Sequence, residues 1–436
     1  MKTSRREFIA AAAAAALLPR VASAGTSGVR TGRLVRGRKI NIACVGCGGK
    51  GADDVRQFSG ENIVGLCDVD FARAQQTFAA HPKAKVFRDW REMLAALDDQ
   101  IDAVVVSTPD HMHFPVALRA IEMGKHVYVQ KPLTHTVEEA RRLLLASRRH
   151  KVVTQMGNQG HSNESTRRMK EWLEAGAIGD VSEVTIWTNR PVWPQDKQLP
   201  GAQDVPATLD WNRWLGVAPW RPYNRAYMPF DWRGWWDYGS GAIGDMGCHT
   251  MDAAFWGLEL GAPTHVSSEV IGGNEYSCPK GSIVTYKFPA RGSHPPVTLK
   301  WYDGCCKPKR PGILPADERM PGSGQIFIGS KGAIFCPGDY CDTATILPES
   351  RRVSFVEPPK TLARVKNGHY QNWLDGIRGV VDAPCSNFEH AVPLTEIALL
   401  GAVAVRSRTS FGWDKSALRC DNPAAQKFIS KTYRMF

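Results

Sequence analysis

Residues 39–51 read "KINIACVGCGGKG", a short apolar run closed by a turn whose Gly46, Gly48 and Gly51 have the spacing G-x-G-x-x-G. The β-branched run predicts a buried strand, and the residues after the turn open a helical pattern. In such a turn the first glycine permits the tight bend. The second lets the backbone approach a pyrophosphate, and the third lets helix and strand pack closely. Unpaired N–H groups at the helix start then face the phosphates. Gly49 and Lys50 lie inside the turn and join the predicted contact set. Asp68 ends the next apolar run, about twenty residues on, where a carboxylate meets a ribose 2′-hydroxyl. That acid favours NAD, since it repels a 2′-phosphate; Arg73 nearby leaves NADP as the alternative.

Outward from this turn the pattern repeats. "NIVGLCDV", "DAVVVSTP", "KHVYVQKP" and "KVVTQMG" are short apolar runs separated by amphipathic stretches such as "TVEEARRLLLASRRH". Alternating strand and helix signals predict a parallel sheet covered on both faces, here over residues 39–157. Ligands of such folds bind beyond the C-terminal strand ends. Two strand ends therefore join the predicted cofactor site. "STPDHMH" puts Thr108, Pro109 and Asp110 at the sheet edge and adds His111 and His113, and "VYVQKPL" brings Gln130, Lys131 and Pro132. A lysine closing a buried apolar strand is costly without a partner or a task.

Residues 158–436 have a different texture. An irregular tryptophan-rich region leads into "GSGAIGDMGCHTMD", and then strand patterns follow with little helix between them. These predict an α+β domain with a large, mostly antiparallel open sheet, one face covered. "KPKRPGILPADERMPGSG" reads as a long loop, and helical patterns within 367–408 close the domain. In the glycine-opened helix Asp245, His249 and Asp252 are spaced i, i+4, i+7 and share a face. An aspartate–histidine pair suits proton transfer, because imidazole titrates near neutrality and the carboxylate orients it. Read alone, the pair serves equally as a structural hydrogen bond. A third ligand for zinc is not evident, so no metal is expected. Eight of the fourteen tryptophans lie between Trp187 and Trp236, and most read as loop core. "FDWRGWWDYG" runs directly into the helix, which makes Arg233, Trp235 and Tyr238 candidate substrate contacts. Asn158, Gln159 and His161, in "GNQGHSN", follow the last strand of the first domain and could line the same cleft.

The glycine turn, "TPDHMH", "QKP" and "GSGAIGDMGCHTMD" together resemble the Gfo/Idh/MocA oxidoreductase family over roughly residues 39 to 430. The resemblance implies an N-terminal Rossmann domain and a C-terminal open-sheet domain, often oligomeric through that sheet as a dimer or tetramer. It implies that His249 removes the proton of a sugar hydroxyl, that Lys131 polarises the oxygen, and that Asp245 orients the site. Hydride passes between that carbon and a nicotinamide. Asp252 supports His249 or the substrate. Gln130 departs from the family's usual glutamate, while the lysine and proline are intact.

The N-terminus completes the reading. "TSRREFIAAAAAAALLPRVASAG", residues 3–25, has adjacent arginines, an apolar run too short to span a bilayer, and the small-residue stop Ala22-Ser23-Ala24. It resembles a twin-arginine signal over residues 1–24, whose machinery moves folded proteins out of the cytoplasm. Residues 25–38, with "RTGRLVRGRK", read as a solvated basic linker. The net charge is +12, but no nucleic-acid module accompanies it. No later stretch reads as a membrane span. Eleven cysteines cannot all pair. Cys44 and Cys47 straddle a strand end and are not expected to act in redox or zinc chemistry, while Cys305, Cys306, Cys336 and Cys341 could pair after export without any being required. A periplasmic dehydrogenase has no free nicotinamide supply, so the expected cofactor is tightly bound NAD, or NADP, recycled on the enzyme. Two activities fit: hydride transfer on a sugar or glycoside hydroxyl carbon, or a redox-neutral glycosidase using oxidation, elimination, hydration and reduction. The second needs a further base, with Tyr238 or His161 as candidates.

Overall fold

The computed structural model describes residues 29–436, so the signal sequence lies outside the described residues. Six strands form the first sheet: β1 (Asn41–Val45), β2 (Asn62–Cys67), β3 (Lys85–Phe87), β4 (Ala103–Val106), β5 (His126–Val129) and β6 (Thr154–Met156). They run parallel in the order β3-β2-β1-β4-β5-β6. That is the doubly wound order of a dinucleotide-binding domain. β4 and β5 are buried throughout, which is why they read as unbroken apolar runs rather than alternating ones. The crossover helix Val137–His150 starts at a capping box in which Thr136 and Glu139 satisfy each other's backbone N–H groups.

The second sheet has nine strands: β7 (Val181–Trp187), β8 (His265–Ile271), β9 (Gly281–Phe288), β10 (Val297–Gly304), β11 (Gly324–Gly329), β12 (Gly332–Pro337), β13 (Thr345–Leu347), β14 (Phe411–Asp414) and β15 (Arg419–Cys420). Their order is β13-β12-β11-β7-β10-β9-β8-β14-β15. Only β7 and β10 pair in parallel. In β10, Val297, Leu299, Trp301 and Asp303 are buried while Thr298, Lys300 and Tyr302 are half-exposed, the two-residue period of a sheet covered on one face. The long Pro/Gly loop crosses the other face, where Leu314 is buried among Trp187, Ile326 and Phe335.

Three expectations are corrected. The helix Phe388–Ser407 is long and apolar enough to cross a membrane by length and composition, although no such stretch was expected. Within the fold 83% of its apolar window is buried, because it packs between the helix Val137–His150, the helix Gly241–Thr250 and the second sheet. The basic linker, expected to be solvated, is mostly exposed over its described part but is tied down at three points. Arg30 pairs with Asp98 and Arg38 with Asp102, both at 2.6 Å. Val35 is buried, and its N–H donates to Ile377 O at 3.0 Å. Finally, the helix Gly368–Arg378, expected to close the second domain, packs its apolar face on the first. Its Trp373, Leu374 and Ile377 share a core with Val35, Ile40, Cys44, Phe58 and Tyr128.

Candidate active site

The glycine turn is built as its spacing requires. Gly46 has φ +82° and Gly49 φ +54°, conformations that side chains disfavour. A Cβ on Gly46 would meet the Ser107 carbonyl carbon at 2.7 Å, and one on Gly51 would collide with Gly46 O. The helix Lys50–Gln57 starts here; Gly51 N–H is bonded to Gly48 O at 3.0 Å and Asp53 N–H to Gly49 O, which leaves the N–H groups of Lys50 and Ala52 for an anion. Asp68 reaches the turn, but its Oδ2 accepts from Cys47 N at 2.6 Å and Gly48 N at 3.2 Å. Arg73 lies across Gly48 and Gly49, within 2.6 Å of where a Cβ on either would stand. Lys50 is turned to Asp54 (2.8 Å) and the Tyr370 hydroxyl (2.9 Å).

At the β4 end, Thr108 Oγ1 is buried without a partner, and Pro109 precedes the helix Asp110–Glu122. The two histidines there are corrected. His111 lies between Trp214 O (3.1 Å) and Tyr238 O (3.4 Å), and His113 between Pro132 O and Thr108 O, both at 2.8 Å. Burial pushes them down to about 3 and about 4. Both rings fasten backbone segments and are committed before any cofactor arrives. At the β5 end Gln130 Nε2 donates to Asp54 Oδ2 at 2.8 Å, and Lys131 projects to the second domain.

There Lys131 Nζ donates to Asp245 Oδ1 at 2.7 Å and to Asp245 O at 2.8 Å. Arg233 Nε reaches the same Oδ1 at 3.1 Å. Burial alone would raise the Asp245 carboxyl, but these two cations outweigh it and hold it below the carboxylate range. His249, one turn along the helix Gly241–Thr250, is also buried, and its Nδ1 has no partner. Burial, reinforced by Lys131, pushes it down to about 3, so the ring is neutral near pH 7. A neutral, unpartnered imidazole beside an anchored lysine can accept a proton.

The remaining candidates divide. Arg233 is half-buried between Phe230 and Trp232, with its cation 4.3 and 4.2 Å from their rings. Trp235 and Tyr238 do not face a cleft. Trp235 Nε1 donates to Ala226 O at 3.0 Å, and Tyr238 is wholly enclosed by Trp214, Tyr227 and His111. Large apolar rings in a loop-rich segment are consumed by its core. Asn158 is buried, donating to Asp252 Oδ2 and accepting from Ser386 Oγ. Gln159 is half-buried, and its Oε1 lacks a partner. His161 Nδ1 lies 2.9 Å from Asp252 Oδ2, and His390 Nε2 lies 2.8 Å from Asp252 Oδ1. Asp252 thus binds His161 and His390; no bond to His249 accompanies them. Together these three have ligand-type atoms within 4.8 Å of one another, a grouping the helical spacing did not reveal. Each carboxylate oxygen is already satisfied by its own imidazole.

One residue escaped the sequence reading, and another was placed at the strand end without a role. Tyr340, in the β12–β13 loop, stands edge-on to His249 with ring centroids 4.9 Å apart. Asp110 is buried against Ser240 Oγ (3.1 Å), and burial pushes it up to about 7 against the pull of Arg233 and Lys131. Asp110 stands inside a motif already singled out, so its signal was present. Tyr340 had none, since only the sheet brings it across.

A glycine-turn dinucleotide fold whose second domain supplies an aspartate and a histidine to a strand-end lysine defines a class, the two-domain nicotinamide-type oxidoreductases. Residues 40–158 match the model described as "Oxidoreductase family, NAD-binding Rossmann fold", and residues 163–288 match the C-terminal alpha/beta domain of the same family. Together these cover more than half of the sequence, and the chain belongs to the Gfo/Idh/MocA oxidoreductase family. It is 31% identical over 146 residues to an inositol 2-dehydrogenase of Burkholderia multivorans, covering 32% of this chain and 43% of that protein. It is 28% identical over 166 residues to the levoglucosan dehydrogenase of Pseudarthrobacter phenanthrenivorans, covering 38% and 35%. The chain thus matches less than half the length of these curated relatives. Among solved structures, the WlbA dehydrogenase of Bordetella pertussis with NADH and UDP-GlcNAcA aligns at TM-score 0.61 and 19% identity, over 86% of this chain and 99% of that one. The aldose-aldose oxidoreductase of Caulobacter crescentus with glycerol aligns at 0.55 and 16%, over 86% and 100%. At these identities the likeness is one of fold.

Proposed function

We propose that this protein is an exported oxidoreductase that transfers hydride between a hydroxyl-bearing carbon of a sugar or glycoside and a tightly held nicotinamide dinucleotide. The observation that carries it is the Lys131–Asp245 ion pair beside the neutral, unpartnered His249, at the same sheet edge as the glycine turn. The residues present fit the cofactor. The turn leaves no room for side chains on Gly46 or Gly51, the N–H groups of Lys50 and Ala52 are uncommitted, and Thr108 Oγ1 lacks a partner. Gly46, Gly48, Gly49 and Gly51 would hold the pyrophosphate, and Asp68 the adenine-side ribose, with Arg73 as the feature that admits NADP. When bound, the nicotinamide supplies the hydride acceptor and donor. His249 takes the hydroxyl proton at an imidazole nitrogen. Lys131, held by Asp245, donates to the same oxygen and balances the charge that develops on it. Arg233 keeps Asp245 ionised as Lys131 shifts toward substrate.

Relatives that match part of the chain act, by their names, on inositol and levoglucosan; a polyhydroxylated ring is the substrate class proposed here. The signal sequence supports loading of the dinucleotide in the cytoplasm, export of the folded protein to the periplasm, and recycling without exchange. The open sheet is the proposed surface for a homodimer or tetramer. The test is to purify the exported protein without added nucleotide and measure its nicotinamide content. An empty protein that takes up NAD only weakly overturns the retained-cofactor reading.

The redox-neutral glycosidase remains the second reading, and one observation bears on it. Tyr238 is enclosed and His161 is bound to Asp252, which leaves Tyr340 beside His249 as the phenol able to serve as the extra acid or base. A chromogenic glycoside separates the two: cleavage with no net change in nicotinamide supports the glycosidase, and a keto-glycoside product supports the dehydrogenase.

A further inference from the structure

The departure at Gln130 has a counterpart elsewhere in the fold. Asp54, on the helix that opens from the glycine turn, is completely buried. Its Oδ2 accepts from Gln130 Nε2 at 2.8 Å and from Ser107 Oγ at 2.7 Å. Its Oδ1 accepts from the Tyr370 hydroxyl at 2.9 Å and faces Lys50 Nζ at 2.8 Å. The four donors come from the β5 end, the β4 end, the helix Gly368–Arg378 and the turn helix itself. The Gln130 amide is also packed against Gly157, where a Cβ would stand 2.7 Å from it.

We infer that Asp54 is a positioning residue of the nucleotide site: it holds the Gln130–Lys131 strand end, and its charge requires an amide rather than a carboxylate at position 130. This rests on the proposed nicotinamide site. Lys50 is the cation against Asp54, and the Lys131 ammonium is committed to Asp245. The other titratable groups facing this point are Tyr370, Tyr128 on β5 and Cys44 on β1, all neutral near pH 7. One cation balances one carboxylate. A glutamate at 130 would set a second carboxylate at hydrogen-bond distance from the first, away from water, where two anions resist sharing a site unless they share a proton. The strand end would then be pushed off its position, and Lys131 with it. The negative charge is held by the turn helix rather than by the strand end, and Lys131 is aligned through the neutral amide.

The test compares the wild-type protein with Gln130→Glu, Gln130→Met, Asp54→Asn and Asp54→Asn/Gln130→Glu, each freed of retained nucleotide and titrated with NADH between about pH 6 and pH 8. Gln130→Glu should bind about tenfold more weakly at the upper pH and recover on acidification, as the carboxyl pair takes up a shared proton. Gln130→Met, which removes the donor without adding charge, should weaken binding equally at every pH. The double variant, with the charge moved to 130, should return to within about threefold of wild type without the pH dependence. Gln130→Glu and Gln130→Met both binding like wild type, or a double variant no better than Gln130→Glu, would overturn the inference. If the wild type binds no nicotinamide nucleotide at all, the functional proposal fails. The same variants' thermal midpoints then decide the coupling, which requires Gln130→Glu to be destabilised and the double variant restored.

Discussion

Asp245 presents one oxygen to two cations, and this makes the lysine separable from the fold. In Lys131→Met the Arg233 contact remains, so the carboxylate stays paired, unlike a buried ion pair that loses its only partner. This variant should fold and bind nucleotide yet turn over about 10²- to 10⁴-fold more slowly, read as reduced nicotinamide formed with a panel of sugars. His249→Asn should behave alike. Asp110 supplies a pH signature. Its folded value of about 7 lies above the ordinary 3.8, so its stabilising contribution is full below pH 4 and is lost as pH rises through 7. Asp110→Asn should therefore melt above wild type at pH 8 and level with it at pH 4, as measured by calorimetry. Lys131, Asp245 and His249 could be placed together from strand-end position and i, i+4 spacing, but the expected aspartate–histidine pair does not form: Asp245 Oδ1 binds Lys131 and Arg233, and His249 Nδ1 has no partner. Asp110 was visible only as a member of its motif, since burial, which raises it, is a property of the assembled core. Trp235 and Tyr238 misled because an aromatic residue reads the same whether it faces a sugar or a neighbouring indole.

At the level of elements, the turn and the helix Gly368–Arg378 matter most. A methyl group on Gly51 meets Gly46 O, so Gly51→Ala should displace the helix from β1 and abolish tight nucleotide binding, visible by equilibrium titration. Trp373 is fully buried against Phe58 and Tyr128, and Trp373→Ala should cost about 3–5 kcal/mol in chemical denaturation. Because that helix carries Tyr370 to Asp54, the same variant should also weaken nucleotide binding. An unchanged affinity would show that the helix only fills the core. Both sheets were readable from alternating and unbroken apolar runs. The docking of this helix on the first domain was not, because an amphipathic face does not specify which core it meets. The docking of the basic linker was hidden for a similar reason: arginines paired to Asp98 and Asp102 look, in sequence, like arginines in water.

Taken as a whole, the molecule stores neutral histidines. His111 and His249 are pushed down to about 3, and His113, His161 and His369 to about 4, burial being the leading cause in each case. Groups whose folded values are depressed contribute stability above the ordinary histidine value of 6.5 and lose it as pH falls toward 4. With His81, His126 and His135, also lowered by burial, they outnumber Asp68, Asp110, Asp231, Asp303 and Glu396, which burial raises and which act in the opposite sense. The thermal midpoint should therefore drop steeply between pH 6.5 and 4; a flat profile would mean these rings are reached by water. The proposed export belongs to this scale as well, because a folded-protein route would let an enzyme carry its own nicotinamide. The most direct measurement is the nicotinamide released by denaturing the protein, purified without added nucleotide, before and after incubation with sugars and glycosides. The account predicts close to one nicotinamide per chain, with its oxidation state shifted by a polyhydroxylated ring in the wild type and not in Lys131→Met. A protein that emerges empty, or whose bound nicotinamide is shifted equally in Lys131→Met, would contradict it.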